Sequence, residues 1–219
     1  MKPHHMNLRQ RGMSLIFALL ALLALSLGAV ALVRSVDSGT SVLGNLGFKQ
    51  ETLASSERAT QAAIDWLAAN AATLDSNNTG QGYYASATDN LDATGQLSSK
   101  TDRVLLDWNG DTCGYASGTV TGKCTLTPRT VATASSTEPV TLRYAIFRLC
   151  ATTGSATATG NSCAAPANSG AGVAADKGSL DYSKPAPLSG TAQGTYYRIV
   201  VQAVGARSTS SITETIVQF

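Results

Sequence analysis

Histidine is almost absent from this chain of 219 residues. The two histidines, His4 and His5, both precede Gly12, so the remainder of the chain has neither a Ser-His-Asp triad nor a histidine metal site. The G-x-x-x-x-G-K-S/T loop that cradles nucleotide phosphates is also missing. These absences argue against an enzyme, and we expect no catalytic residues and no cofactor.

Charge is scarce as well. Only 14% of the residues are charged and the formal net charge is +2. Three of the basic residues, Lys2, Arg9 and Arg11, precede Gly12, which leaves the rest of the chain nearly neutral. Because nucleic-acid recognition usually leaves a clustered basic footprint, we expect no direct nucleic-acid partner.

The four cysteines lack C-x-x-C spacing, which makes a redox motif or a zinc site a poor interpretation. They fall into two local pairs, Cys113 with Cys124 and Cys150 with Cys163. An even count behind an apolar segment of the export type, here residues 13–33, favours disulfides, because the periplasm oxidises thiols. Three connectivities are possible, and we favour the two local loops, each worth on the order of 3 kcal/mol.

An uncharged apolar run extends from Met13 to Val33. As a helix it reaches about 31 Å, which matches the hydrocarbon core of a bilayer. The basic residues before it favour a cytoplasmic N-terminus, with the bulk of the chain exported. Two simpler alternatives stay open: a plain single-pass anchor, or a signal peptide cleaved after the A-x-A sequence at residues 29–31.

Residues 34–75 read as a helix that is first weakened and then amphipathic. Gly39, Gly44 and Gly47 should soften or interrupt it, because glycine costs about 1 kcal/mol relative to alanine inside a helix. The stretch 49–74 then predicts one apolar stripe along the helix, containing Leu53, Ile64, Leu67, Ala71 and Leu74.

Residues 76–219 change to a period of two. Alternation in TLRYAIFRLC, followed by TYYRIVVQAV and SITETIVQF around a glycine-containing turn, predicts strands and a terminal hairpin. Residues 104–108 form a weaker strand candidate. We interpret Arg143 and Arg148 as solvent-facing and Trp66 as a core anchor where helix meets sheet. The predicted fold class is α+β: a long N-terminal helix packed on an antiparallel sheet.

One weak metal candidate lies in DWNGDTC. Asp107, Asn109 and Asp111 alternate like the start of a calcium loop, but Thr112 and Gly118 stand where an EF-hand requires glycine and glutamate. Asx side chains that bond their own backbone in a turn explain the pattern better. We therefore expect no metal site here.

Both ends of the chain resemble a type IV pilin precursor, in particular the PilX-type minor pilins. The first match is RQRG followed by MSLIFALLALLAL, a basic leader that ends in Gly12 before the apolar segment. The second is YYRIVVQAVGARSTSSITETIVQF, which is similar to the closing hairpin of PilX- and PilV-type subunits. The resemblance implies that a prepilin peptidase removes residues 1–12 and that the new terminus, Met13, is N-methylated.

The chain departs from that family at Phe17, where most pilins carry a glutamate. In the family this glutamate is thought to offset the N-terminal ammonium of a neighbouring subunit, and an unpaired carboxylate in an apolar bundle is costly. A subunit with no neighbour above it has no such ammonium to neutralise, so phenylalanine at this position avoids an orphan charge. Together with the resemblance, Phe17 therefore implies a minor pilin at or near the filament tip, acting in initiation of assembly.

The same resemblance implies partners and a location. The partners are other minor and major pilins, the prepilin peptidase, the inner-membrane assembly platform and, before assembly, membrane lipid. The location is the bacterial inner membrane with a periplasmic C-terminal domain, and later the extracellular filament that serves adhesion and motility. A minor pseudopilin of a type II secretion system, or an anchored periplasmic binding or accessory domain, remains an alternative.

Overall fold

The structure is a computed structural model that describes residues 13–132, 140–164 and 194–219. The expected leader, residues 1–12, and the cleavage position Gly12 lie outside these described residues. Two units make up the chain, Met1–Gly47 and Phe48–Phe219.

Helix α1 extends from Met13 to Ala69 and contributes to both units. It continues through Gly39, Gly44 and Gly47, so of the two expected effects, softening or interruption, these glycines do not interrupt the helix. A glycine weakens a helix but, unlike a proline, it keeps the N–H that continues the hydrogen-bond ladder. Local softening at these glycines stays a prediction.

Seven strands follow among the described residues of the second unit, and most of them are short. Their bounds are β1 Tyr83–Tyr84, β2 Leu105–Leu106, β3 Cys124–Leu126, β4 Arg129–Thr130, β5 Thr141–Arg148, β6 Tyr196–Val204 and β7 Ser210–Gln218. Single 3₁₀ turns occupy Ala71–Thr73, Thr79–Gln81 and Ala206–Ser208. The three runs with the clearest alternation in the sequence form β5, β6 and β7, and the weaker candidate at 104–108 contains β2.

The main sheet has the order β1-β5-β6-β7, with β4 also paired to β5. The fold is α+β, but the expectation of a purely antiparallel sheet is wrong, because β1 runs parallel to β5 and β2 parallel to β3. The antiparallel pairs are β4–β5, β5–β6 and β6–β7. A parallel neighbour needs a long connection, and the chain from β1 to β5 supplies one. Local alternation carries no information about such a partner.

Each face of the sheet buries its own core. On one face, the part of α1 after Phe48 covers alternate residues of β5 and β6, including Tyr144, Ile146 and Ile199. On the other face, Ala145, Phe147 and Val200 pack against Leu106 of β2 and Trp108 just after it. Because successive strand residues point to opposite faces, one strand supplies both cores.

The face of α1 that meets the sheet consists mainly of small residues, and it matches the predicted stripe only in part, since Ile64 packs against this core. Its buried members are Thr52, Ser56, Ala59, Thr60, Ala63 and Leu67. Leu53 is 44% exposed, and Ala71 lies in the 3₁₀ turn after the helix. Leu67 and Leu74 are buried as predicted.

Candidate assembly surface

The first part of α1 presents a large apolar surface that nothing in the described chain covers. Its exposed large side chains are Leu15, Ile16, Phe17, Leu19, Leu20, Leu22, Leu23, Leu25, Leu27, Val30, Leu32 and Val33. Soluble monomers rarely expose contiguous apolar patches of more than a few hundred Å². Among the described residues, α1 is the one helix long and apolar enough to cross a membrane.

Polar side chains on this surface are satisfied within the helix. The hydroxyl of Ser26 donates to the carbonyl oxygen of Leu23 at 2.8 Å. Beyond the surface, that of Ser38 donates to the carbonyl oxygen of Arg34 at 2.9 Å. An unsatisfied donor is expensive in hydrocarbon or in a dry helix bundle. Ser26 therefore fits an apolar environment although its side chain is polar.

Phe17 lies on this surface with 68% of its area exposed. Between Met13 and Val33 the sequence has no charged residue, so the first charges after Phe17 are Arg34 and Asp37. A carboxylate at position 17 would have no cation of this helix within a turn on its C-terminal side. The side chain of Met13, the expected methylated terminus, is outside what the structure describes.

The three glycines that follow the apolar run are not required by packing within the chain. A Cβ atom added at Gly39, Gly44 or Gly47 would meet nothing within 4 Å. These glycines lower helix propensity without giving any close contact within the described residues.

The two cysteine pairs of the second unit are joined as the local loops, Cys113 to Cys124 and Cys150 to Cys163. Both crosslinks lie outside the strands of the main sheet, and Cys124 is the first residue of β3. With sequence separations of 11 and 13, each contributes roughly 3 kcal/mol by restricting the unfolded chain.

In the weak calcium candidate, Asp107, Asn109 and Asp111, the two aspartates bond the backbone of their own loop. The Asp107 carboxylate accepts hydrogen bonds from the backbone N–H groups of Asp111 and Cys113, at 3.0 and 3.4 Å, and Asp111 accepts one from Gly114 at 3.0 Å. Asn109 Oδ1 instead accepts from Arg143 at 3.3 Å. The interpretation as an Asx-type turn is confirmed, since Asp107 and Asp111 bond the backbone of their own loop.

A second group of possible ligands, Asp107 with Cys113 and Cys124, has its ligand atoms within 4.8 Å of one another. The two sulfurs are bonded to each other, so neither is a thiolate. Metal binding by cysteine requires the thiolate. The cluster in this oxidised form is a disulfide beside a carboxylate.

Arg148 is buried, and the expectation that it faces solvent is wrong. Its Nη1 donates to Asp75 Oδ1 at 2.9 Å and to the carbonyl oxygens of Leu74 and Gly154, at 3.2 and 2.7 Å. It thereby ties the segment after α1 to the loop closed by Cys150 and Cys163. Strand alternation does not reveal this role, because the partners of Arg148 lie in two distant segments.

A second buried arginine, which the sequence did not single out, organises the loops on the opposite face. Arg103 Nη1 donates to Asp92 Oδ2 at 3.0 Å and to the carbonyl oxygen of Gly95 at 3.2 Å, and Nη2 donates to the carbonyl oxygen of Ser117. Burial opposes ionisation of Asp92, but the bonds from the Leu97 N–H and Arg103 outweigh it, and the pKa lies below 3.8.

Trp66 packs on the sheet as predicted and also lines a small surface cavity. Its ring lies 5.2 Å from that of Tyr83, centroid to centroid. The cavity, of about 110 Å³, is completed by Ala62, Arg129, Val131, Ala132 and Tyr144. Trp66 is therefore a half-buried anchor, consistent with the interpretation that it joins helix and sheet.

No protein-family model, no curated protein and no solved structure matches this chain. The class that the fold itself defines is coarse: an α+β domain whose long N-terminal helix is apolar enough to span a membrane.

Proposed function

We propose that this protein is a minor pilin that acts in the initiation of type IV pilus assembly at or near the filament tip. One observation carries the proposal. A single helix, α1, has an uncovered apolar surface over residues 15–33 and then packs on its own sheet from Thr52 onward. A pilin needs these two kinds of helix surface in this order.

The apolar surface serves twice. In the inner membrane it matches the hydrocarbon, and in the filament it packs against the helices of other pilins. Extraction from lipid then exchanges one dry environment for another. Ser26 supports this use, because its hydroxyl bonds within the helix in either environment.

Phe17 favours a position where no subunit precedes this one. A glutamate at this position would pair with the N-terminal ammonium of a neighbour, but at the tip it would be an orphan charge in an apolar bundle. Phenylalanine avoids that cost. The exposed ring, 68% accessible, is free to contact the helices of the subunits below it.

Processing, export and assembly of this protein would proceed as for other pilins. A prepilin peptidase cuts after Gly12 and methylates Met13 on the cytoplasmic side, and the second unit folds and is oxidised in the periplasm. The work of assembly belongs to partner ATPases and the membrane platform. Adhesion and motility arise from the filament, and the subunit itself contributes structure rather than catalysis.

The first test is the mass of the N-terminal peptide of the protein isolated from membranes. We expect methylated Met13 as the first residue. An intact Met1 would contradict the proposal in favour of a plain anchor, and a start at Leu32 would contradict it in favour of a conventional signal peptide. A Gly12→Val variant is the control, because it should leave the leader in place.

A second test moves the subunit within the filament. We expect Phe17→Glu to impair assembly or leave it unchanged, and to spread labelled subunits from the filament ends into the shaft. Leu22→Glu, also at an exposed apolar position (64%), introduces the same charge without the expected ammonium partner and should not redistribute them. Wild-type label spread evenly along filaments, or assembly improved by Phe17→Glu, would contradict a tip position.

A further inference from the structure

The sheet ends at β7, and the outer edge of this strand is free within the described part of the chain. Residues 205 and 219 donate their N–H groups to the carbonyls of residues 209 and 195, which fixes the bonding pattern of the hairpin. Odd-numbered residues of β7 thus bond β6, and the N–H and C=O groups of Ser210, Ile212, Glu214, Ile216 and Gln218 point outward. A row of unpaired backbone groups is a template for another strand.

The usual protections of such an edge are missing here. Strand β7, SSITETIVQ, contains no proline and no lysine. Its one charge, Glu214, is already neutralised by Arg198, whose Nη2 lies 2.8 Å from Glu214 Oε2. Ile216 is 58% exposed beside this pair. The edge is therefore neutral and partly apolar.

The sequence along this edge reads the same in both directions. Ile212-Thr213-Glu214-Thr215-Ile216 is a palindrome centred on Glu214. In an antiparallel pair of two identical strands, the register centred on Glu214 places Ile212 opposite Ile216 of the second copy and Thr213 opposite Thr215. A shift by two residues places isoleucine opposite glutamate instead. Only the register centred on Glu214 therefore places isoleucine opposite isoleucine and threonine opposite threonine.

We propose that the free edge of β7 is a self-association site, at which a second copy of this chain adds its own β7 in antiparallel register about Glu214. The contact is isologous, since one two-fold axis relates the copies. Two apolar Ile pairs and the outward backbone bonds supply the attraction. The two Glu214 side chains meet near the axis and repel each other, and the Arg198 bound to each of them reduces this repulsion.

The symmetry of this contact differs from that of packing within a filament. An axis normal to the sheet reverses every direction in the sheet plane, including that of the packed helix segment 48–69 in the second copy. Subunits related by a filament's screw axis keep one direction along it. The site therefore joins copies that do not stand side by side in one filament, and it does not depend on the proposed pilin function.

Sedimentation of the full chain in detergent micelles tests the site. We expect a concentration-dependent dimer that Ile216→Lys weakens at least about tenfold, because the variant places two lysines in the apolar pairs. The matched control Leu97→Lys, at a loop residue 43% exposed, should change the dissociation constant by less than about twofold. A monomer up to about 0.5 mM, or a dimer insensitive to Ile216→Lys, overturns the proposal.

Cysteine trapping tests the register and excludes association through the apolar helix. Thr213→Cys mixed with Thr215→Cys should form an intermolecular disulfide, because the two positions face each other across the axis. Either variant alone should not, since its own copies are offset by two residues, beyond the Cα separation of about 7 Å that a disulfide spans. Crosslinking by one variant alone overturns the register. The mass of the N-terminal peptide is unaffected in every case, so the two proposals fail separately.

Discussion

The two parts of helix α1 differ in a way that its hydrophobicity does not anticipate. From Met13 to Val33 the helix is rich in leucine, and its described side chains are exposed. From Phe48 onward it is more polar, yet it builds the core of the second unit with Thr52, Ala59 and Ala63, all fully buried. The larger apolar side chains of the first part are exposed, whereas the smaller side chains of the second part are buried against the sheet.

The reason lies in how closely the second part approaches the sheet. The Thr52 hydroxyl lies 2.7 Å from that of Ser211 on β7, and a Cβ added at Gly205 would lie 2.7 Å from Thr52 Cγ2. Gly205 has a φ of −103°, so the turn does not require glycine for its conformation. Arg207 and Ser208 adopt the left-handed conformation there. Gly205 is thus needed for space under the helix.

The largest effect should come from high pH, which acts only on the second unit. Burial raises the pKa of Tyr83, Tyr144 and Tyr197 above 10.0 and that of Tyr115 to about 12. Their stabilisation is complete below pH 10 and is lost as the pH rises through the folded values, at about 1.4 kcal/mol per pH unit and tyrosine. Residues 13–47 contain no tyrosine.

We therefore expect near-ultraviolet circular dichroism of the full chain in detergent to collapse between about pH 10 and 12, while helical signal from the first part persists. Tyr115→Phe should move the midpoint upward, because it removes one titrating group. Loss of the near-ultraviolet signal below about pH 9 would show that other groups control the transition.

The next largest effect should be a cavity in the packed part. Leu67→Ala should lower the free energy of unfolding by about 2–5 kcal/mol, because Leu67 is fully buried between helix and sheet. The matched change in the first part, Leu23→Ala, should cost less than about 0.5 kcal/mol in detergent. Thermal unfolding of both variants measures these changes in unfolding free energy. Equal losses would contradict the proposed difference between the two parts of α1.

A smaller loss should follow from Gly205→Ala, at about 1–3 kcal/mol, since the added methyl group overlaps Thr52 Cγ2. Thr52→Ser removes that methyl group and keeps the hydroxyl that bonds Ser211. In the Thr52→Ser background, Gly205→Ala should therefore cost much less. A double-mutant cycle measures the coupling, and strict additivity would contradict the close approach.

The smallest effect tests the stripe that the sequence predicted. Leu53 is 44% exposed, so Leu53→Ala should change stability by less than about 0.5 kcal/mol. Its smaller neighbour is buried, and Thr52→Val should cost about 1 kcal/mol or more because it leaves the Ser211 hydroxyl without this partner. A larger loss of unfolding free energy from Leu53→Ala, measured by urea unfolding, would show that Leu53 belongs to the buried stripe as the sequence predicted.

Local patterns in the sequence were enough to find the long helix, the strands β5 to β7 and the hairpin, because each depends on periodicity within a short stretch. The same patterns failed where a partner lies far away. The parallel pair of β1 and β5 and the buried arginines Arg103 and Arg148 depend on segments distant in the chain. An alternating strand indicates which residues share a face, but not what covers that face.

The sequence alone therefore determined that the chain carries an uncharged, membrane-length helix ahead of an α+β domain, since length and composition decide such a property. Only the tertiary structure decided which residues of the later helix are buried. The helix approaches the hairpin too closely for large side chains at that contact, so Thr52 and Gly205 lie at the interface while Leu53 faces outward. The distance between the helix and the hairpin determines which side chains are buried there, and the number of apolar residues in the sequence does not predict that distance.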